Sequence, residues 1–136
     1  MSYLMDTNVV SELRKGGRCH AGVAAWFAGV PDAELFLSVL VIGEIQRGVD
    51  QIRRRDTRAG SALGRWLTQI TRTYEDRILP ITLPIAQLWG NLDALDPIPT
   101  VDGLLAATAV HHELVLVTRN AKDVACTGVR LLNPFA

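Results

Sequence analysis

The stretch LVLVT, residues 114–118, is a continuous run of aliphatic side chains that ends on a hydroxyl. An unbroken run of this kind is typical of a strand covered on both faces, as in a parallel sheet between two layers of helices. The segment before it, VDGLLAATAVHHE at residues 101–113, is so apolar that it predicts a largely buried helix. A buried helix followed by a buried strand predicts an α/β fold.

Strands and helices alternate along the rest of the chain as well. Strands are expected at Leu4–Met5 and at residues 34–38, 77–80, 114–118 and 129–132. Helices are expected from a cap at Thr7 or Asn8 to Arg14, and over residues 21–28, 39–55, 58–75, 83–95 and 101–113, with Ser38 and Thr100 as N-caps. The alternation predicts a three-layer sandwich in which helices flank a short parallel sheet, with residues 1–136 forming a single domain.

Composition favours a globular protein of the cytosol. The 136 residues are 49% hydrophobic and 21% charged, and no apolar stretch approaches the roughly 20 residues that span a bilayer. Asp6 interrupts the apolar start, which is unlike a secretory signal, so we expect a cytoplasmic location. Cys19 and Cys126 are far apart and match no zinc-site spacing, so we expect free thiols.

The distribution of charge is uneven although the formal net charge is zero. A neutral chain exerts no overall attraction on nucleic acid. Arginines nevertheless crowd the stretch from Arg47 to Arg65. Arginine suits bidentate contacts with phosphate, but a solvated helix face explains the same pattern, and the sequence is consistent with both interpretations.

Four acidic residues fall where predicted strands lead into helices. Asp6 ends the first strand, Glu44 is in the second turn of the helix that follows LFLS, and Asp102 is in the first turn of the buried helix. Asp123 comes shortly after the LVLVT strand. Ligands of open α/β sheets bind beyond the carboxyl ends of the strands, so we expect these carboxylates at one edge of the sheet.

Each of these residues also has a purely structural explanation. Asp6 could begin a helix, although the two residues after it are available for that role. Glu44 could flank an apolar stripe, Asp102 could be stabilised by a helix dipole, and Asp123 could be a turn residue. However, clustered carboxylates repel one another, which favours a divalent cation among them. Mg²⁺ or Mn²⁺ prefers oxygen ligands and activates water for attack on a phosphate.

Four segments of the chain resemble PIN-domain proteins. They are YLMDTNVVSEL at residues 3–13, SVLVIGEIQRGV at 38–49, TVDGLLAATAVHHELVLVTRNAKDV at 100–124 and LLNPF at 131–135. The chain is similar in particular to the VapC-type ribonuclease toxins of bacterial toxin–antitoxin modules, and among these to the FitB-like branch. The resemblance covers essentially the whole chain, in order and at matching separations.

This resemblance implies a PIN-like fold and a metal-dependent endoribonuclease with Mg²⁺, or else Mn²⁺, as its cofactor. Such a toxin cleaves structured cellular RNA, tRNA or rRNA, and thereby blocks translation. A VapB-type antitoxin is expected to neutralise it. We also expect a homodimer, a higher-order complex with the antitoxin, and no association with a membrane.

The resemblance assigns roles to individual positions. Asp6, Glu44 and Asp102 match the three acidic metal-site positions. The fourth acidic position is Asn120 in this chain, which leaves a second metal site one carboxylate short. Asp123 is the candidate for the missing fourth carboxylate, acting directly or through a water. With Asp6, Glu44 and Asp102 it makes up the expected catalytic residues. The remaining assignments are Thr7, Thr118 and Asn120 as supporting residues, and Arg119, Arg47 and Arg53 as contacts for RNA phosphates.

Alternative functions remain open on the sequence. A PIN-type nuclease acting on DNA or in RNA maturation would use the same chemistry. A non-catalytic binding module of the same fold, whose carboxylates engage a basic peptide, is favoured by Asn120. A phosphatase-like hydrolase is disfavoured because no second aspartate follows Asp6 in a DxD arrangement. No Walker loop, GxGxxG, GxSxG or HExxH motif offers a rival chemistry.

Overall fold

Strands and helices alternate along the polypeptide in the predicted order. The computed structural model describes residues 1–136. The strands are β1 (Tyr3–Met5), β2 (Leu35–Ser38), β3 (Ile78–Leu79), β4 (Val115–Val117) and β5 (Leu131–Leu132). The helices are α1 (Thr7–Leu13), α2 (Ala21–Ala28), α3 (Val39–Arg55), α4 (Thr57–Thr73), α5 (Leu83–Leu95), α6 (Thr100–His111) and α7 (Ala121–Val124). The bounds expected for α2, α3 and α5 are confirmed.

All five strands are parallel and form one sheet in the order β3-β2-β1-β4-β5. The central strand β1 pairs Leu4 with Phe36 of β2 on one side and with Leu116 of β4 on the other. The chain moves outward from β1 to β3 and then crosses to the other half of the sheet. Because crossovers between parallel strands are right-handed, this reversal places helices on both faces. The expected α/β sandwich is confirmed, and the strand order reverses between β1 and β4.

The core lies where the central strands meet α6. Leu4, Leu37 and Leu116, on three different strands, are at most 2% exposed. The small side chains of α6, such as Ala106 and Ala109, are fully buried, and the helix contacts β1, β4 and α5. Since α6 is covered on several sides, it shows no polar stripe, and the prediction of a largely buried helix is confirmed.

Two of the predicted helix caps are wrong. The N-cap of α1 is Asp6, whose Oδ1 accepts a hydrogen bond of 3.0 Å from the backbone N–H of Val9, and Thr7 is already the first helical residue. Asp6 takes this position because its backbone is extended (φ −81°, ψ 174°) as it leaves β1. Thr100 is likewise inside α6, which follows Pro99 without a side-chain cap.

The long hairpin of α3 and α4 begins and ends with short-range polar contacts. The predicted cap Ser38 is confirmed, because its Oγ accepts a hydrogen bond of 3.0 Å from the N–H of Leu40. α4 ends at Thr73, two residues earlier than expected, and the chain then tightens into a 3₁₀ turn at Glu75–Arg77.

Near the α3–α4 connection, a Cβ at Gly60 would lie 2.7 Å from the Cα of Arg53. The backbones of α3 and α4 therefore lie so close together at this point that a side chain at position 60 has no room.

We predict that Gly60→Ala destabilises the protein by about 1–3 kcal/mol, because the added methyl group must push the α3 backbone away. Gly43→Ala, on the same hairpin but with open space around its Cβ, is the matched control. It should instead stabilise the protein by about 0.5–1 kcal/mol, since alanine is the better helix former. Urea denaturation of the two variants measures both changes, and equal effects would contradict this packing at Gly60.

None of the seven helices combines the length and the apolar composition that crossing a bilayer requires. Cys19 and Cys126 are both free thiols, as the sequence predicts.

Candidate active site

A cavity of about 250 Å³ lies at the carboxyl edge of the sheet, where the strand order reverses. Asp6, Glu44 and Asp102, predicted to converge here, all line it. The remaining lining residues are Thr7, Asn8, Arg47, Leu105 and Asn120. We refer to this space as the carboxylate cavity, and its position agrees with the general location of ligands in doubly wound sheets.

Asp6 is held firmly at the end of β1 and is only 4% exposed. Oδ1 accepts from the N–H of Val9, and Oδ2 accepts a hydrogen bond from the hydroxyl of Thr118. Each carboxylate oxygen has two lone pairs, so each retains one for a further partner. Burial raises the pKa of Asp6, the hydrogen bonds from Thr118 and Val9 oppose this, and the charges of Asp102 and Glu44 raise the pKa further. Asp6 is therefore a helix cap that remains able to bind a cation.

Glu44 lies on α3 and lines the cavity together with Asp6 and Asp102. One of its oxygens accepts a hydrogen bond from the hydroxyl of Thr7, the first residue of α1. Its other oxygen is 3.9 Å from a guanidinium nitrogen of Arg47, one turn further along α3. The side chain of Glu44 is 27% exposed, so a water or phosphate in the cavity can reach it. Thr7 thus supports Glu44, as the family resemblance implies.

Asp102 lies in the first turn of α6 and is half-buried. The pKa of Asp102 is raised, mainly by burial and then by the negative charges of Asp123 and Glu44. The α6 N-terminus favours a carboxylate here, but only by about 0.3–1 kcal/mol. A cation in the cavity would favour it as well, and would relieve the repulsion from Glu44.

Thr118 does not itself line the cavity, but it is hydrogen-bonded to two residues that do. It follows β4, is 3% exposed, and donates its hydroxyl hydrogen to Asp6 while accepting a hydrogen bond of 2.9 Å from the N–H of Asn120. This pair of bonds sets the path of the chain after β4. Asn120 is thereby placed at the cavity wall, and its amide makes no capping bond to α7.

Three other predicted site residues do not line the cavity. Asp123 is exposed on α7 and acts on the site through its charge, which raises the pKa of Asp102. The guanidinium of Arg119 lies over the Phe135 ring, 4.0 Å from its centroid. Arg53 is 3.9 Å from the carboxylate of Asp50, on the α3–α4 hairpin. Among the predicted RNA contacts, only Arg47 lies at the carboxylate cavity.

The structure also reveals basic residues that sequence reasoning did not select. Arg14, Lys15 and Arg18 lie just beyond α1, in a second hollow that shares part of its wall with the carboxylate cavity. The signal was present in the sequence, since RKGGR at residues 14–18 directly follows the helix that begins at Asp6. The arginines of α3 and α4 are more numerous and dominate the distribution of basic residues along the chain.

The donor set of the carboxylate cavity fits a hard divalent cation. No three side chains among His, Cys, Asp and Glu are gathered closely enough to hold a metal by themselves. Mg²⁺ does not need such a cage, because it keeps several waters and is bound through one or two carboxylates. Asp6, Asp102 and Glu44 offer carboxylate oxygens to the cavity, the amide oxygen of Asn120 is a further ligand of the same type, and the mutual repulsion of the carboxylates favours a cation there.

Comparison with known proteins places the chain in a family. A model of the PIN domain matches residues 3–124. Ribonuclease VapC14 of Mycobacterium tuberculosis is 42% identical over 81 residues, which cover 60% of this chain and 71% of that protein. Toxin FitB of Neisseria gonorrhoeae is 28% identical over 97% of both chains.

Solved structures show the same relationship. The crystal structure of FitAcB from Neisseria gonorrhoeae matches with a TM-score of 0.89 at 28% identity, covering 98% of each chain. A toxin–antitoxin complex from Klebsiella pneumoniae matches with a TM-score of 0.68 at 27% identity, again over 98% of each chain. The resemblance noted in the sequence is confirmed, and the chain belongs to the PIN-domain family.

Proposed function

We propose that this protein is a metal-dependent endoribonuclease toxin of a toxin–antitoxin module. The observation that carries the proposal is the convergence of Asp6, Glu44 and Asp102, from three separate regions of the chain, in one cavity at the carboxyl edge of the sheet. The similarity to proteins named ribonuclease VapC14 and toxin FitB supports the same activity.

Asp6 and Asp102, together with Glu44, would hold a Mg²⁺ or Mn²⁺ ion. When bound, the ion would supply Lewis-acid activation of water and neutralise charge on the phosphate. Asp6 is kept in place by Thr118 and by the backbone of α1, so it serves as the rigid member of the set.

Glu44 is the side chain best suited to remove a proton from the attacking water, since it is partly exposed and oriented by Thr7. The water oxygen bonds to phosphorus as the bond from phosphorus to the 3′-oxygen breaks. The products carry a 5′-phosphate and, after protonation of the leaving oxygen, a 3′-hydroxyl. Arg47, exposed at the cavity wall, would contact a non-bridging phosphate oxygen during this step.

The proposed biological setting follows from the family. The substrate would be structured cellular RNA, tRNA or rRNA, cleaved in the cytoplasm so that translation stops. The similarity to a toxin–antitoxin complex supports an antitoxin as the partner. By the family resemblance, this antitoxin would be of the VapB type, in a higher-order complex that contains a homodimer of this chain. Asp123, exposed beside Asp102, is proposed to act through a water in place of the acidic residue that Asn120 replaces.

A non-catalytic binding module is the second candidate, and Asn120 favours it because this amide replaces a carboxylate of the family pattern. Cleavage of total cellular RNA by antitoxin-free protein distinguishes the two. Discrete fragments formed with Mg²⁺ or Mn²⁺ and absent with EDTA would support the nuclease. Folded protein that cleaves nothing with either ion would instead support the binding module, and cleavage of DNA and RNA alike would point to a nuclease without 2′-hydroxyl preference.

We predict that Mg²⁺ or Mn²⁺ raises the Tm of the isolated protein, because binding to the folded state relieves carboxylate repulsion. A hundredfold excess over Kd corresponds to about 2.7 kcal/mol of stabilisation. Differential scanning fluorimetry measures the shift, which Asp102→Asn should largely abolish. Asp76→Asn is the matched control, since Asp76 is 85% exposed in the turn before β3 and should retain the shift. An equal shift in both variants would place the ion elsewhere.

A further inference from the structure

A second hollow, of about 460 Å³, lies beside the carboxylate cavity between α1 and the α3–α4 hairpin. On one side it is lined by Arg14, Lys15 and Arg18, and on the other by Trp66 of α4 and Gly48 of α3. We call it the basic groove. It is the larger of the two spaces, and its volume is within the range of pockets that take small organic molecules.

The basic groove adjoins the carboxylate cavity. Thr7 and Glu44 line both spaces and are hydrogen-bonded to each other. This pair forms the boundary between them. A polymer chain whose phosphate lies among the carboxylates would therefore have the basic groove as an adjoining path.

The groove carries cations that are free to bind a ligand. Arg14 and Arg18 are exposed, and neither has a carboxylate within 4.0 Å. Lys15 differs, because its ammonium is 2.5 Å from Glu12. In a chain with zero net charge, two unpaired guanidinium groups in one concave surface form a local site for anions, and their planar donors suit phosphate oxygens.

Trp66 provides the apolar part of the groove. Its indole is half-buried on α4, and the buried side chains of Ile45 and Leu63 line the groove beside it. Aromatic side chains next to basic residues are a common platform for unpaired nucleotides, because bases stack on the ring while cations hold the backbone.

We propose that the basic groove binds a single-stranded segment of RNA next to the scissile phosphate, with Arg14 and Arg18 contacting backbone phosphates and Trp66 stacking on a base. This inference rests on the proposed function and extends it, since it names the path of the substrate and the form in which it binds. A single strand is required because stacking on Trp66 needs a base that is not already stacked in a helix.

Gly48 offers a direct test that leaves the charges untouched. It lies in the middle of α3, and a Cβ at this position would meet nothing within 4 Å. The Cβ of a side chain introduced by Gly48→Met therefore meets no protein atom, the longer side chain extends from a residue that lines the groove, and methionine should favour the helix. Gly90→Met is the matched control, since Gly90 is an exposed glycine of α5 with equally open surroundings and lies outside both spaces.

Binding is measured by fluorescence anisotropy with a short fluorescein-labelled single-stranded RNA in EDTA, so that cleavage plays no part. We expect Trp66→Ala to raise Kd by roughly five- to 150-fold, the range that corresponds to the loss of one stacked base. Gly48→Met should raise Kd by about fivefold or more, since it obstructs the groove but leaves Trp66 in place. Gly90→Met should leave Kd unchanged.

The arginines are tested through the salt dependence of the same binding. Each of Arg14→Gln and Arg18→Gln should weaken binding and lower the slope of log K against log salt by about 0.7, the value expected for one lost phosphate contact on a single strand. Arg130→Gln is the control with the same charge change, because Arg130 precedes β5 at the opposite edge of the sheet.

The outcomes separate this inference from the function on which it rests. Suppose that the wild-type protein binds and cleaves RNA and that Kd is unchanged in Gly48→Met, Trp66→Ala and both arginine variants. This result would overturn RNA binding in the basic groove but not the nuclease activity, and would favour a partner peptide as the occupant of the groove. Wild-type protein that neither binds nor cleaves RNA would overturn both. Weaker binding in the groove variants alone, with both controls unchanged, supports the proposal.

Discussion

Asp102→Asn is expected to lower the rate of RNA cleavage by at least about a hundredfold, the lower range for loss of a group that acts in proton transfer or charge stabilisation. The substitution preserves the size of the side chain and removes its charge from the first turn of α6, where it lines the carboxylate cavity. The measurement is the initial rate of cleavage of a defined RNA with saturating Mg²⁺ or Mn²⁺.

The same substitution should not destabilise the protein in EDTA. Burial and the charges of Asp123 and Glu44 raise the pKa of Asp102, which means that its ionised form is disfavoured in the folded state. A neutral amide removes that repulsion, so Tm should stay the same or rise. Asp76→Asn should leave both rate and Tm near the wild-type values. A lower Tm in Asp102→Asn, or an unchanged rate, would contradict the role assigned to this residue.

Among substitutions that keep the volume of the side chain nearly constant, Thr118→Val is expected to destabilise the protein most. Its hydroxyl serves two partners at once, the buried carboxylate of Asp6 and the half-buried N–H of Asn120. A methyl group in its place removes the partner of Oδ2 of Asp6 and of the Asn120 N–H, at a cost of about 1–3 kcal/mol for a buried group left unsatisfied. Removing the bond also raises the pKa of Asp6 further, because it is the stronger of the two hydrogen bonds that lower this pKa. Thermal unfolding should show a decrease in Tm of several degrees.

Thr118→Ser distinguishes the hydroxyl from the packing of the side chain. Serine keeps the donor and acceptor and loses one methyl group, so its unfolding free energy should fall by much less than that of Thr118→Val. RNA cleavage should follow the same order, because Asp6 depends on Thr118 for its orientation. Equal stability loss in the two variants would show that the methyl group contributes as much as the hydrogen bonds, and would contradict the dominant role assigned to the hydroxyl.

Local patterns explain why much of the fold could be predicted. The cap at Ser38, the 17 residues of α3 and the continuous aliphatic run of β4 depend on neighbours a few positions away. The prediction failed where two local candidates competed. Thr7 has a side chain that can cap a helix. However, Asp6 has the extended backbone conformation of an N-cap residue as the chain leaves β1, so Asp6 is the N-cap of α1. Thr100 lost its capping role because α6 begins one residue earlier, directly after Pro99.

The chain's amino-acid sequence by itself determined the alternation of elements, the buried character of α6 and the identity of the acidic residues, because periodicity and composition act over short distances. It also placed Asp6 and Glu44 where strands lead into helices, from which their convergence at one edge follows by a general rule of parallel sheets. Asp102 was expected at such a junction as well, but α6 follows helix α5, so only the tertiary structure brings this residue to the same edge.

Only the tertiary structure decided which groups touch. Thr118 reaches Asp6 across 112 positions because β4 pairs directly with β1, and Thr7 reaches Glu44 across 37 because α3 packs on α1. The same packing joins the basic groove to the carboxylate cavity and leaves Arg53 and Arg119 outside the cavity. Such contacts depend on strand order and on the approach of whole helices, which are set by burial of the entire core and not by any local pattern.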